Sequence, residues 1–142
     1  MAIVRILLVE DSGPFRRFVR TALDLQADLQ IVGEVADGAE AVQRAHELQP
    51  DLILLDIELP TLNGIEAARR MRDFAPQSKI VFVSQESSLD IVREAFRVGA
   101  RGYVVKLDAG TELLIAVNAV LRGHRFLGSR FSGHEFPEGT DA

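Results

Sequence analysis

Apolar residues in this chain fall into short, nearly unbroken runs that alternate with stretches where they recur every third or fourth position. The runs are residues 3–9 (IVRILLV), 30–36 (QIVGEVA), 52–55 (LILL), 79–83 (KIVFV) and 103–105 (YVV). Short apolar runs bounded by turn signals suit strands buried on both faces, as in a parallel sheet. The intervening stretches carry the apolar stripe of a helix. Phe15, Phe18, Val19, Ala22 and Leu23 predict the first helix, with Ser12 as N-cap and Pro14 tolerated in the first turn. Asp37-Gly38 opens a second helix with Ala41, Val42, Ala45 and Leu48 on one face. Asn63-Gly64 opens a third through Ile65, Ala68, Met71 and Arg72, closed before Pro76. Leu89, Val92, Ala95 and Phe96 mark a fourth, stopped by Gly99, and Leu113, Leu114, Val117, Val120 and Leu121 a fifth, ending near Gly123.

Strands alternating with helices of this length predict βαβ units and an α/β domain. Five such units fit a three-layer, flavodoxin-like doubly wound fold, (βα)5, with a five-stranded parallel sheet in the order 2-1-3-4-5. The pattern supports one domain over residues 1–125. From Phe126 the periodicity dissolves among three glycines and Pro137, so residues 126–142 read as a linker-like or disordered tail.

The most informative run is the third. Leu52 to Leu55 end on Asp56, with Pro50 and Pro60 bounding the strand because proline cannot serve inside a central ladder. Asp56 therefore stands at the carboxyl edge of the sheet, where open α/β folds bind ligands. Four strands end in polar groups of this kind: Glu10 and Asp11 after the first, Asp56 after the third, Ser84 after the fourth and Lys106 after the fifth. In a parallel sheet these ends share one edge.

Charge narrows the chemistry. Two like charges ~4 Å apart repel by about 4 kcal/mol at an effective dielectric of ~20. Three carboxylates with one ammonium therefore call for a divalent cation, and Mg²⁺ (or Mn²⁺) suits oxygen ligands beside a phosphoryl group. Asp11 and Asp56 are the expected ligands, with Glu10 either a ligand or a holder of metal-bound water. A carboxylate can attack phosphorus to give an acyl phosphate, and phosphoryl transfer asks mainly for positioning and charge neutralisation. Asp56 fits the nucleophile, Lys106 the neutralising cation and Ser84 a donor to the transferred group. Each residue alone has a plainer reading. Glu10, Asp11 or Ser12 could cap a helix, Asp56 and Ser84 could form turns, Lys106 could be solvated and Tyr103 could be a packing ring. It is their agreement at four strand ends that favours chemistry.

Composition removes other classes. With no cysteine among 142 residues there is no disulfide or thiolate metal site. Net charge of −5 argues against direct nucleic-acid binding by this segment. No run is long enough for a membrane span and no signal peptide is evident, so a cytoplasmic location is expected.

Glu10-Asp11, Asp56, Ser84 and Lys106, in this order and at strand ends, resemble the active-site set of two-component response-regulator receiver domains, with the likeness spanning residues 3–123. The resemblance implies that Asp56 is a phosphoacceptor charged by a sensor histidine kinase or phosphotransfer protein. It implies that Asp11, Asp56 and the main-chain carbonyl of Glu58 hold Mg²⁺ with help from Glu10. Ser84 and Tyr103 match the paired switch residues, acting on the face made by the fourth helix, fifth strand and fifth helix, with a homodimer and a transcriptional output implied. Such a domain is not an enzyme beyond its own phosphotransfer and dephosphorylation. The segment from Gly102 to Lys106 most resembles receivers that precede helix-turn-helix output domains. This chain departs from the family at Leu107, where many receivers have proline, and it adds acid at Glu58 and Glu86, expected to tune the lifetime of the acyl phosphate.

Other readings have less support. A phosphohydrolase of the haloacid dehalogenase type would place its paired acids after the first strand, not at Asp56 and Glu58. A flavodoxin needs a phosphate-binding loop where Glu10 and Asp11 stand. A receiver-like interaction module not regulated by phosphorylation is the main alternative.

Overall fold

The computed structural model describes residues 2–136. It runs β1 (Val4–Val9), α1 (Gly13–Asp24), β2 (Leu29–Val35), α2 (Gly38–Leu48), β3 (Leu52–Leu55), α3 (Gly64–Phe74), β4 (Lys79–Ser84), α4 (Leu89–Arg97), β5 (Gly102–Val105), α5 (Ala109–Leu121) and β6 (Phe126–Leu127). Short 3-10 turns at Lys106–Asp108 and Ser129–Phe131 link the last elements. The local signals act as expected. Ser12, Asp37, Asn63 and Ser88 each cap a helix through a side-chain oxygen that accepts a main-chain N–H of the first turn.

The strands pair in parallel in the order β2-β1-β3-β4-β5-β6. Because side chains alternate across a strand, the sheet separates two apolar layers. Ile6, Leu8, Leu52 and Leu54 face α1 and α5, packing with Val19, Leu23, Leu113 and Val117. Leu7, Val9, Ile53 and Leu55 face α2, α3 and α4, packing with Ala45, Met71 and Phe96. Both faces are covered, which is why β3 carries no polar residue.

The expected five-stranded sheet is corrected to six strands. Phe126 and Leu127 pair in parallel with Gly102 and Tyr103 of β5, and the Phe126 N–H donates to the Arg101 carbonyl at 2.9 Å. Two residues carry no periodicity, so a strand this short is invisible in the pattern. Its value is positional, since it covers β5, which would otherwise be an open sheet edge. Of the segment read as a tail, residues 126–136 thus contain a strand and a turn, whereas 137–142 lie outside the described residues. Among the described residues no helix is long and apolar enough to cross a membrane.

Candidate functional site

The carboxyl ends of β1, β3, β4 and β5 meet at one edge, where the sheet order makes β1 and β3, β3 and β4, and β4 and β5 neighbours. Asp56 follows β3 directly, is 4% exposed, and receives a main-chain tie from its own N–H to the Val9 carbonyl at 3.1 Å. Its Oδ1 accepts the Ile57 N–H at 2.7 Å, and its Oδ2 lies 3.0 Å from Lys106 Nζ. The loop beyond Asp56 is held by a close approach. The Gly64 N–H donates to the Ile57 carbonyl at 2.7 Å, and a Cβ at position 64 would fall 2.0 Å from the Asp56 carbonyl oxygen. Only glycine fits there.

Glu10 is 2% exposed at the end of β1. Its carboxylate accepts the Ser12 N–H at 3.0 Å and the Lys106 ammonium at 2.9 Å. Burial pushes the Glu10 carboxyl above its ordinary range, and the hydrogen bonds from Lys106 and Ser12 oppose that only in part. For Lys106, burial favours the neutral amine, but hydrogen bonds to Glu10 and Asp56 outweigh it and hold the ammonium above its ordinary value. Lys106 also sits 4.7 Å above the Phe15 ring, a cation–π contact that shields one side of the ammonium. Arg16 donates to the Glu10 carbonyl at 2.7 Å, fixing the turn between β1 and α1.

Carboxylate oxygens of Glu10, Asp11 and Asp56 all lie within 4.8 Å of one another, with Glu10 and Asp56 buried and Asp11 exposed. Three carboxylates and the one ammonium among them leave two negative charges, facing solvent on the Asp11 side. All-oxygen donors, a two-charge deficit and an open side fit Mg²⁺, which keeps several of its waters.

Ser84 ends β4 fully buried, and its Oγ accepts the Glu86 N–H at 3.1 Å. Tyr103 is also fully buried, and its hydroxyl donates to the Glu86 carbonyl at 2.7 Å. Burial pushes the Tyr103 phenol well up, with the Ser84 hydroxyl opposing and the nearby carboxylates adding to the rise. Glu86 therefore touches both Ser84 and Tyr103 through its main chain. Glu58 lies exposed on the loop after Asp56. The structure thus brings Glu10, Asp11, Asp56 and Lys106 together, with Ser84 and Tyr103 joined through Glu86 on the adjacent strand ends. The sequence reading missed Phe15, Arg16 and Gly64. In the sequence Phe15 falls in the apolar stripe of a helix, and Gly64 reads only as a turn residue.

A family model for the response regulator receiver domain matches residues 6–118. The chain is 34% identical over 120 residues to the transcriptional regulatory protein YxjL of Bacillus subtilis, covering 84% of this chain and 55% of that one. It is 42% identical over 106 residues to a protein-glutamate methylesterase/protein-glutamine glutaminase of Thermotoga maritima, covering 73% of this chain and 30% of the relative. Among solved structures, a LuxR-family two-component response regulator from Aurantimonas sp. SI85-9A1 superposes with a TM-score of 0.87 at 31% identity, covering 92% of this chain and 94% of that one. The chain spans about half the length of YxjL and less of the methylesterase. It belongs to the response regulator receiver domain family.

Proposed function

We propose that this receiver domain is a phosphorylation-dependent switch in which Asp56 accepts a phosphoryl group from a phosphohistidine on a sensor kinase or phosphotransfer protein. The observation that carries the reading is the ammonium of Lys106 held 3.0 Å from Asp56 Oδ2 and 2.9 Å from Glu10, in a buried acidic pocket open at Asp11.

An oxygen of the Asp56 carboxylate attacks phosphorus, the P–N bond to the histidine breaks, and a P–O bond forms. The products are a mixed anhydride at Asp56 and, because the phosphohistidine reacts with its other ring nitrogen protonated, a neutral imidazole on the donor. Lys106 is positioned to neutralise the charge of the transferred oxygens, and the Ile57 N–H stabilises the remaining carboxyl oxygen. Glu10, Asp11 and Asp56, with the main-chain carbonyl of Glu58, would hold Mg²⁺, which when bound supplies charge neutralisation between the carboxylates and the phosphoryl oxygens. Water later hydrolyses the anhydride, restoring the carboxylate and releasing inorganic phosphate. Glu58 and Glu86 lie on the loops flanking the site and influence that step. The chain turns over no separate substrate, so it is a switch and not an enzyme in the ordinary sense.

The new anionic oxygens draw the Ser84 hydroxyl toward them. The change passes to Tyr103 and to the α4–β5–α5 face, which serves a second copy of the chain or an output such as transcription, in the cytoplasm. The reading is tested by incubating the protein with acetyl phosphate and Mg²⁺. Label is expected on Asp56, lost on chelation of the metal and in Asp56→Asn. An unlabelled native chain would leave an interaction module not regulated by phosphorylation.

A further inference from the structure

The chain beyond α5 folds back over the switch tyrosine. β6 lies beside β5 with Leu127 opposite Tyr103. After Gly128, the turn Ser129–Phe131 brings Phe131 into the core, where it is 3% exposed and meets the Tyr103 ring edge-on, the centroids 6.3 Å apart at 88°. Phe136 continues the layer, 6.1 Å from Phe131 and 5.8 Å from Phe96 of α4.

Polar anchors hold this segment at both ends and in the middle. Arg130 forms a two-pronged ion pair with Asp108, at 2.6 and 2.9 Å. The Arg125 guanidinium lies 4.4 Å over the Phe96 ring and donates to the Phe136 carbonyl at 3.4 Å. The Ser129 N–H donates to Glu112 of α5 at 3.4 Å. These anchors reach α4, which shares the sheet face of Tyr103, and also α5 and the turn Lys106–Asp108 that follow its strand.

Building on the phosphoacceptor reading, we propose that residues 126–136 form a strap that senses the position of Tyr103 and passes the state of the Asp56 site to the chain that follows. The seat of Phe131 is built partly from the Tyr103 ring, so the strap is seated only while the ring points inward. Turning the ring out of the core would remove the edge-on contact against which Phe131 packs. Whatever draws Ser84 and Tyr103 inward at the phosphoryl site therefore tightens the strap. By reciprocity, loosening the strap weakens the site's hold on a phosphoryl group.

Tyr103 is the single tyrosine and the chain has no tryptophan, so its emission reports on this ring alone. Acrylamide should quench it poorly in the native protein and severalfold better in Phe131→Ala. Arg130→Gln, on the surface, should increase quenching with an unchanged far-UV circular dichroism spectrum. Native quenching in both variants overturns the seat. Beryllofluoride with Mg²⁺ serves as the phosphoryl mimic, its binding read by fluorine NMR. Its addition should slow amide exchange across 126–136, and Arg130→Gln should bind it roughly fivefold more weakly. Binding without either effect overturns the coupling while leaving the phosphoacceptor reading intact. Failure of the native chain to bind it overturns that reading and the coupling with it, while the quenching result still decides the seat.

Discussion

The ammonium of Lys106 bridges two buried carboxylates from different strands, 2.9 Å from Glu10 and 3.0 Å from Asp56 Oδ2. These residues are 96 and 50 positions from Lys106 in the chain, so the bridge closes the sheet edge across β1, β3 and β5. A cation shared in this way makes the site part of the fold as well as of the chemistry.

Lys106→Ala removes the bridge and leaves two carboxylates buried without their partner. Breaking a buried pair in this manner costs about 3–5 kcal/mol. We expect a urea midpoint lowered accordingly in the absence of metal, and partly recovered by Mg²⁺. An unchanged midpoint would mean that the ion pair adds nothing to the fold.

Asp11→Asn removes one of three mutually repelling carboxylates from the open side of the site. In the presence of a chelator the variant is expected to unfold at a urea concentration equal to or above that of the native chain. Mg²⁺ at a hundred times its dissociation constant stabilises a binding-competent protein by about 2.7 kcal/mol. That gain is expected for the native chain and should be much smaller for the variant. Equal gains would exclude Asp11 as a ligand.

Gly64→Ala places a methyl group 2.0 Å from the Asp56 carbonyl oxygen, which is backbone and cannot swing aside. Overpacking of this kind costs typically 1–3 kcal/mol, occasionally more. Chemical denaturation should register the loss. Acyl-phosphate formation should slow as well, because relief of the clash moves Asp56 relative to Lys106.

Tyr103 gives a pH prediction with a definite sign. Its phenol is raised above the ordinary value of 10.0, chiefly by burial. A group whose pKa is raised on folding contributes stability that is fully present below the unfolded value and lost as pH rises through the folded value. Stability should therefore fall as pH rises above about 10, the unfolded value, and the phenolate absorbance should grow only as the protein unfolds. Tyr103→Phe should lessen the alkaline loss while costing about 1 kcal/mol near neutrality for the hydrogen bond to Glu86. A free phenol titration at the ordinary value in folded protein would show that the ring is not buried.

What could be read from the chain alone was the alternation of strands and helices and the polar residue at each strand end. Apolar periodicity reports burial, and parallel pairing obliges the strand ends to share an edge, so Glu10, Asp11, Asp56, Ser84 and Lys106 could be grouped before any coordinates. Tertiary structure alone decided the sixth strand, the inward Tyr103 with Phe131 against it, Phe15 beneath Lys106 and the close approach at Gly64. These depend on distances between residues far apart in the chain, or on elements too short to have a period. A hydropathy pattern can mark Phe131 as apolar. Only the path of the backbone after α5 determines which ring it meets.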